Sequence, residues 1–396
     1  MKIIYLDYNA TTPVRSEVFK AMQPLLTDFW GNPSSIHRIG RKAKNLLDDA
    51  RSQVAKSLGA QPSEIVFTSS GTESNNLAVK GVAQKYAEKG RHIITTAVEH
   101  PGILETCRYL ENNGYSVTYV RVDREGMIDL DDFEKAFRDD TILVTAMLAN
   151  NETGNIFPIK DMAAIASERG VFFHSDAVQA VGKIPVNAQE LGVDMLSISG
   201  HKFYAPKGVG ALYVRNGIKL ENIIHGGHQE RGLRAGTENM AGIVALAKAC
   251  ELAEKDMNTL APKLLERRKK LEEGITARIE EVKLNGHPEL RLPNTVNMSF
   301  SHVEGESITM GLDEQGVSAS SGSACGSGSP QPSHVLMAMG IPPLQAQGSI
   351  RFSLGRENTD EDVDFVLDVL PPIIKKFRAM SPLYRRKNSG RRGKEN

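Results

Sequence analysis

The sequence predicts an α/β protein in which a mostly parallel sheet, covered by helices on both faces, is joined to a smaller α+β domain. Two observations carry the large domain. Strand-like runs alternate with amphipathic stretches from Glu64 to about Gly200, and the runs are almost continuously apolar, as in parallel strands buried on both sides. A third observation carries the small domain: after Asn285-Gly286 the alternation gives way to two strand-like and two helix-like segments in another order. The large domain is placed at 15–255 and the small one at 1–14 and 256–385. A serine- and glycine-rich loop at about 318–333 and a basic tail at 386–396 complete the chain.

The elements follow in order. Residues 1–14 open with a short apolar strand and pass into the turn Asp7-Tyr8-Asn9-Ala10-Thr11-Thr12-Pro13. Ala43, Leu47, Ala50, Val54 and Leu58 recur at helical spacing until Gly59 stops the run. Glu64–Ser69 is a strand that breaks at Ser70-Gly71-Thr72-Glu73, and a helix follows toward Gly90. Further strands are expected at 92–98, 115–122, 141–148 and 171–177, with helices around 101–113, 130–139 and 159–169. An apolar run at Met195, Leu196 and Ile198 ends in Ser199-Gly200-His201-Lys202 and a glycine-rich turn. Residues 240–281 are one long charged helical connector. TVNMSF and SIRFSLG then read as strands, GESITMGLDEQG and TDEDVDFVLDVL as helices.

Composition narrows the class. The 396 residues are 40% hydrophobic and 24% charged, with a formal net charge of zero, as in ordinary soluble globular proteins. Zero net charge exerts no general pull on nucleic acid or an anionic membrane, and no apolar run is long enough to span a bilayer. The opening residues are too few and too polar for a secretory signal. Cysteines at 107, 250 and 325 form neither a disulfide framework nor a zinc spacing, which points to a reducing compartment, the cytoplasm. From Ser381 on there are six basic residues and one acidic, interspersed with Ser and Gly: a solvated tail or a partner-binding arm.

Candidate chemistry collects at strand ends, where ligands of parallel sheets bind. Thr72, His100, Asn151, Asp176 and Lys202 each stand at or just beyond one. Lys202 lies where a strand gives way to Gly and His, a place that desolvates an amine and prepares a Schiff-base nucleophile, although a lysine in a loop is ordinarily in water. Ser70-Gly71-Thr72-Glu73 between strand and helix forms an anion cup of backbone N–H groups, with Thr72 as a further donor or as a plain helix cap. Asp176 needs a cationic partner, either a protonated pyridine nitrogen or an arginine, and Gln179 stands three residues on. His100 is a structural hydrogen-bonding group, or a ring that stacks on a flat ligand and moves protons. His225 and His228 lack zinc-site spacing, so no metal site is expected there, and Arg234 and Thr237 in the same loop suit an anion. Cys107 and Cys250 read as core hydrophobes. Cys325 lies among Ser and Gly, an inert loop residue or a reactive thiol on a mobile arm, with His100 a candidate for its activation.

Together these segments resemble the cysteine desulfurases, pyridoxal-phosphate (PLP) enzymes of the aspartate-aminotransferase fold, fold type I, with a seven-stranded sheet. Within them they resemble the group with a long cysteine loop that supplies sulfur for iron–sulfur clusters. The resemblance runs from LDYNATTPV through FTSSGTESNN, VEHPGILE, ANNETG, HSDAVQAVGKI, SGHKFYAPKGVGAL and GGHQERGLRAGTEN to SSGSAC and IRFSLGREN. It implies that Lys202 holds PLP as an imine, that Asp176 pairs with its ring nitrogen and that His100 stacks on the ring. Asn151 and Gln179 would reach the hydroxyl side. Gly71, Thr72, Ser199 and His201 would hold the phosphate, with Thr237 from the second subunit of a homodimer. Asn9, Asn151 and Arg351 would bind the substrate, L-cysteine, and Cys325 would accept its sulfur as a persulfide and pass it to an iron–sulfur scaffold, its one implied contact with metal. The sequence departs from the family pattern at Ala205, at His228 and in SSGTE, and none of these removes a chemical group. A selenocysteine lyase, a related aminotransferase, or a silent sulfur carrier that has kept the fold are the alternatives.

Overall fold

Runs of β-branched and aliphatic residues become the strands, and their order in space decides which loops meet. The computed structural model describes residues 3–321, 332–381 and Tyr384. Its strands in chain order are β1 (Ile4–Tyr5), β2 (Ile65–Thr68), β3 (His92–Thr96), β4 (Ser116–Val120), β5 (Thr141–Met147), β6 (Phe172–Asp176), β7 (Met195–Ser199) and β8 (Gly210–Val214). They continue with β9 (Val282–Leu284), β10 (Thr295–Phe300), β11 (Val317–Ser318), β12 (Ser320–Ser321) and β13 (Ser349–Ser353).

Seven of these form the main sheet, in the order β2-β8-β7-β6-β5-β3-β4. The pairs from β4 to β7 are parallel, and β8 runs antiparallel to both of its neighbours. The parallel strands therefore end on one edge, and their following loops converge there. β8 departs from the expectation of a glycine-rich turn only. After the turn GALYV returns as a strand, with Gly210 paired to both Thr68 and Ser199. A Cβ there would come within 2.7 Å of the Ile198 carbonyl oxygen, so only glycine fits between the two strand ends.

Helices cover both faces. Arg38–Ser57, Gly71–Lys85, Pro101–Glu111, Leu130–Lys135 and Ile159–Glu168 each lie within a stretch expected to be helical, and they end one to five residues early. The connector is a single helix, Met240–Arg278, with Pro262 inside it. The last helix runs beyond TDEDVDFVLDVL to Met380, through Pro371 and Pro372, and the buried Leu370, Ile373 and Ile374 carry its packing past the prolines.

The small domain has a four-stranded sheet, β12-β13-β10-β9, beside the pair β1-β11. Its core (Leu6, Leu271, Val296, Phe300, Phe352, Leu370 among others) is separate from that of the large domain. Leu292 and residues 335–346, however, pack into the large-domain core although they lie far along the chain. The cysteine loop at 322–331 with Cys325, and the tail beyond Tyr384, lie outside the described residues. Among the described residues no helix is long and apolar enough to cross a membrane.

Candidate active site

The carboxyl edge of the main sheet supplies one side of a cavity lined by Gly71, Thr72, His100, Asn151, Asp176, Gln179, Ser199, His201 and Lys202, with Asn9, Asn75 and Arg351. Beyond β2, Ser70 caps the helix Gly71–Lys85 by accepting from the Glu73 N–H, which settles the alternative reading of Thr72: the cap is Ser70, and Thr72 lies inside the first turn. Gly71 gives the helix room to start against the β6 loop, since a Cβ there would sit 2.6 Å from Val178 Cγ2. The N–H groups of that turn and the positive helix end face the cavity, a site suited to phosphate.

Asp176 closes β6 and is almost buried. Its carboxylate accepts from Asn75 Nδ2 at 2.7 Å and from the Val178 N–H at 2.9 Å. No arginine or lysine among the described residues forms an ion pair with it, so the arginine alternative falls away. A buried carboxylate held by neutral donors beside a cavity suits a cationic ring nitrogen.

Lys202 ends the short 3-10 turn Gly200–Lys202 after β7. Its amine donates to the carbonyls of Asn9 (2.7 Å) and Ala10 (2.8 Å). Burial and the Arg351 charge push its pKa down to about 8 against the pull of Asp176 and Asp7. His201 is held to Thr11 Oγ1 at 3.2 Å, and burial with Lys202 and Lys207 pushes it down to about 4, so it offers a neutral ring. His100 caps the helix Pro101–Glu111: its Nδ1 accepts from the Gly102 N–H at 3.0 Å. Burial lowers its pKa, opposed by Asp176 and reinforced by Lys202 and His334.

The opposite wall comes from the small domain and the chain start. Asp7 bridges to Ser353 of β13, and this brings it against Arg351 of the same strand. Arg351 donates to Asp7 at 2.7 Å and to the Asn151 carbonyl at 3.0 Å, while its Nε is buried without a partner. Asn9 is fully engaged: Nδ2 donates to the Asn151 carbonyl and Thr295, and Oδ1 accepts from Lys183 and Asn294. In this arrangement its side chain has no donor or acceptor left for a substrate; it positions its neighbours instead. Gln179 donates to the Asn9 carbonyl and accepts from Lys183 at 2.5 Å.

Thr237 is not in this cavity. It lies in a separate one with Thr68, Ser69, Arg234 and Glu238, where Arg234 pairs with Glu73 at 2.8 Å. Downstream of Cys325, Ser333 donates to Glu152 and His334 bonds the Glu99 carbonyl at 2.9 Å, so this segment is fastened next to Asn151 and His100.

Sequence reasoning missed Asn75, Asp7 and Lys183. Asn75 follows Gly71 by one helical turn, and Lys183 follows Gln179 by four residues, spacings that place each pair on one side. Lys183 is nearly buried, and burial, with Lys202 and Arg351, sets its pKa well below the usual lysine value.

The donor set fits PLP. A desolvated amine, a carboxylate without a cation, a ring histidine and a helix N-terminus with hydroxyls surround one cavity, and each matches one group of that cofactor.

A family model described as aminotransferase class-V matches residues 4–366. The chain is 55% identical over 379 residues to a cysteine desulfurase IscS of Dictyoglomus turgidum, covering 96% of each. Among solved structures it superposes on a NifS-like protein with a TM-score of 0.89 at 41% identity, covering 94% of this chain and all of that one. It also superposes on SspA in complex with cysteine (TM-score 0.79, 39% identity, 89% and 98% covered).

Proposed function

From the premise that this chain belongs to the class-V aminotransferase family, we propose that it is a PLP-dependent cysteine desulfurase, converting L-cysteine to L-alanine and delivering the sulfur to iron–sulfur cluster assembly. The single observation that carries the reading is the Lys202 amine, desolvated at the carboxyl edge of the sheet in one cavity with Asp176, His100 and the helix end at Thr72. A similar protein was solved in complex with cysteine, which supports an amino-acid thiol as substrate.

The residues divide the work. Lys202 would hold the cofactor, and its desolvated amine would take the proton from the substrate Cα. Bound there, PLP supplies the electron sink for that carbon. Asp176, held by Asn75 and the Val178 N–H, would pair with the ring nitrogen and favour its protonated form. Gly71, Thr72, Ser199 and His201 hold the phosphate, joined by Thr237 from the partner in a homodimer. Gln179 and Asn151 orient the ring, and Arg351 fixes the substrate carboxylate, for which its unpartnered Nε is available. The Cys325 thiolate attacks the substrate sulfur: an S–S bond forms, the C–S bond breaks, its electron pair returns to carbon, and protonation there completes alanine. The sulfur stays on Cys325 until an acceptor thiol takes it. We place the activity in the cytoplasm.

Incubation with L-cysteine tests this. Alanine, sulfide after added thiol, and a Cys325 peptide heavier by one sulfur are expected. A keto acid as product, or turnover undiminished in Cys325→Ala, refutes it.

A further inference from the structure

His100 serves two masters: it lines the Lys202 cavity, and it caps a helix. The cap decides its chemistry. The Gly102 N–H points at Nδ1 from 3.0 Å, so the in-plane lone pair of that nitrogen faces a hydrogen and has no place for a proton. A neutral imidazole carries one N–H, which is then on Nε2.

From this geometry we infer that His100 works as a neutral hydrogen-bond donor through Nε2, and not as the base that removes a proton from substrate or from Cys325. Acting as a base would require a proton on Nδ1, because Nε2 already holds one. That proton would confront the Gly102 N–H, break the cap and set a cation on the positive end of the 11-residue helix Pro101–Glu111. A ring held neutral at a helix N-terminus donates to developing negative charge without itself ionising.

The local sequence builds this arrangement. Pro101 at the first helical position lacks an N–H, so the first donor available to the cap is that of residue 102. Glycine there lets the ring settle on the backbone, since a Cβ would lie 3.1 Å from Nδ1. The charged and titratable groups that face the ring are Asp176, Lys202 and His334. Asp176 alone favours the imidazolium, and burial with the other two outweighs it. The amine lining the cavity is that of Lys202, whose pKa burial and Arg351 bring down to about 8, and proton removal falls to it.

What the donor serves rests on the PLP reading above, whereas the tautomer rests on the cap alone, and the test separates them. Holoenzyme labelled with 15N-histidine is compared by NMR at about pH 6 and pH 8, the range in which imidazole ordinarily titrates, with His100 assigned by its missing signals in His100→Gln. A bare Nδ1 and a protonated Nε2 at both values are expected. A proton on Nδ1, or a doubly protonated ring at about pH 7, overturns the inference. The role is read from two variants that both keep a capping acceptor. His100→Asn carries its N–H donor further from the backbone, toward the place of Nε2, and should turn over cysteine at least about tenfold faster than His100→Ser, whose hydroxyl sits one atom beyond Cβ at the cap. Equal rates would remove the donor role. An Nε2 proton in a protein without a visible cofactor band would uphold the tautomer and refute the functional reading.

Discussion

The two sides of the Lys202 cavity are built by different means. On the sheet side each reactive group stands at or just beyond a strand: Asp176 at the end of β6, His201 and Lys202 after β7, His100 after β3, Thr72 after β2. Their positions follow from strand order, and the apolar sheet beneath holds them. On the opposite side the groups come from the chain start and the small domain, and most of their side-chain ties span long stretches of sequence. Arg351 meets Asp7 across 344 residues, and Asn9 is tied to Thr295 across 286 and to Lys183 across 174. That side is a polar lattice, in which each group is oriented by a partner remote in sequence. Under the proposed function the contrast assigns bond-making chemistry to the sheet side and orientation and affinity to the lattice side.

Substitutions should separate the two accordingly, the sheet side giving the largest effect. Lys202→Ala should lower kcat for alanine formation by at least about 10³-fold, the scale of losing a positioned proton-transfer group. A residual rate near one-tenth of normal would put the base elsewhere. On the lattice side, Arg351→Lys should leave kcat within a few-fold and raise KM for cysteine by about 10- to 100-fold, the value of a lost bidentate fork. Steady-state kinetics showing the reverse split would break the comparison.

The next effect is one of pH. Under the proposed function the unprotonated amine is the nucleophile, and burial with the Arg351 charge brings the Lys202 pKa from 10.5 to about 8. The rate at which PLP-free protein captures the cofactor should therefore rise with pH through a midpoint near 8, with about a tenth of the amine free at pH 7. Stopped-flow absorbance reads this, and a midpoint at the ordinary lysine value would mean a solvated amine. The smallest effect belongs to Lys183→Met. It leaves Gln179 Oε1 without its donor, whereas Asn9 Oδ1 keeps Asn294. It also relieves a desolvated amine, so a net loss of about 1 kcal/mol in chemical denaturation is expected, with turnover reduced a few-fold. A gain in stability would show that the amine's desolvation outweighs its bonds.

The same division explains what could be read from the chain. Near-continuous apolar runs and the breaks at Ser70, His100 and Gly200 marked the sheet side, because strand ends and their loops are local features. Asp7 went unseen because the Asp7–Ser353 bridge has no local signature; Asn75 and Lys183 stand at helical spacing from Gly71 and Gln179, but only the fold shows that Asn75 reaches Asp176 and that Gln179 crosses Asn9. Asn9 was read as a substrate ligand, yet its side chain is spent on the lattice. β8 was missed for a related reason, since its antiparallel return depends on the slot between β2 and β7 and not on the pattern of GALYV alone.

The central claim is that the Lys202 amine holds PLP covalently. Borohydride reduction of the purified, PLP-supplied protein, followed by peptide mass spectrometry, tests it most directly. The account predicts the reduced pyridoxyl adduct on the peptide containing Lys202 and its absence when cysteine is added before reduction. An adduct on another lysine, Lys183 included, or none at all, would contradict it.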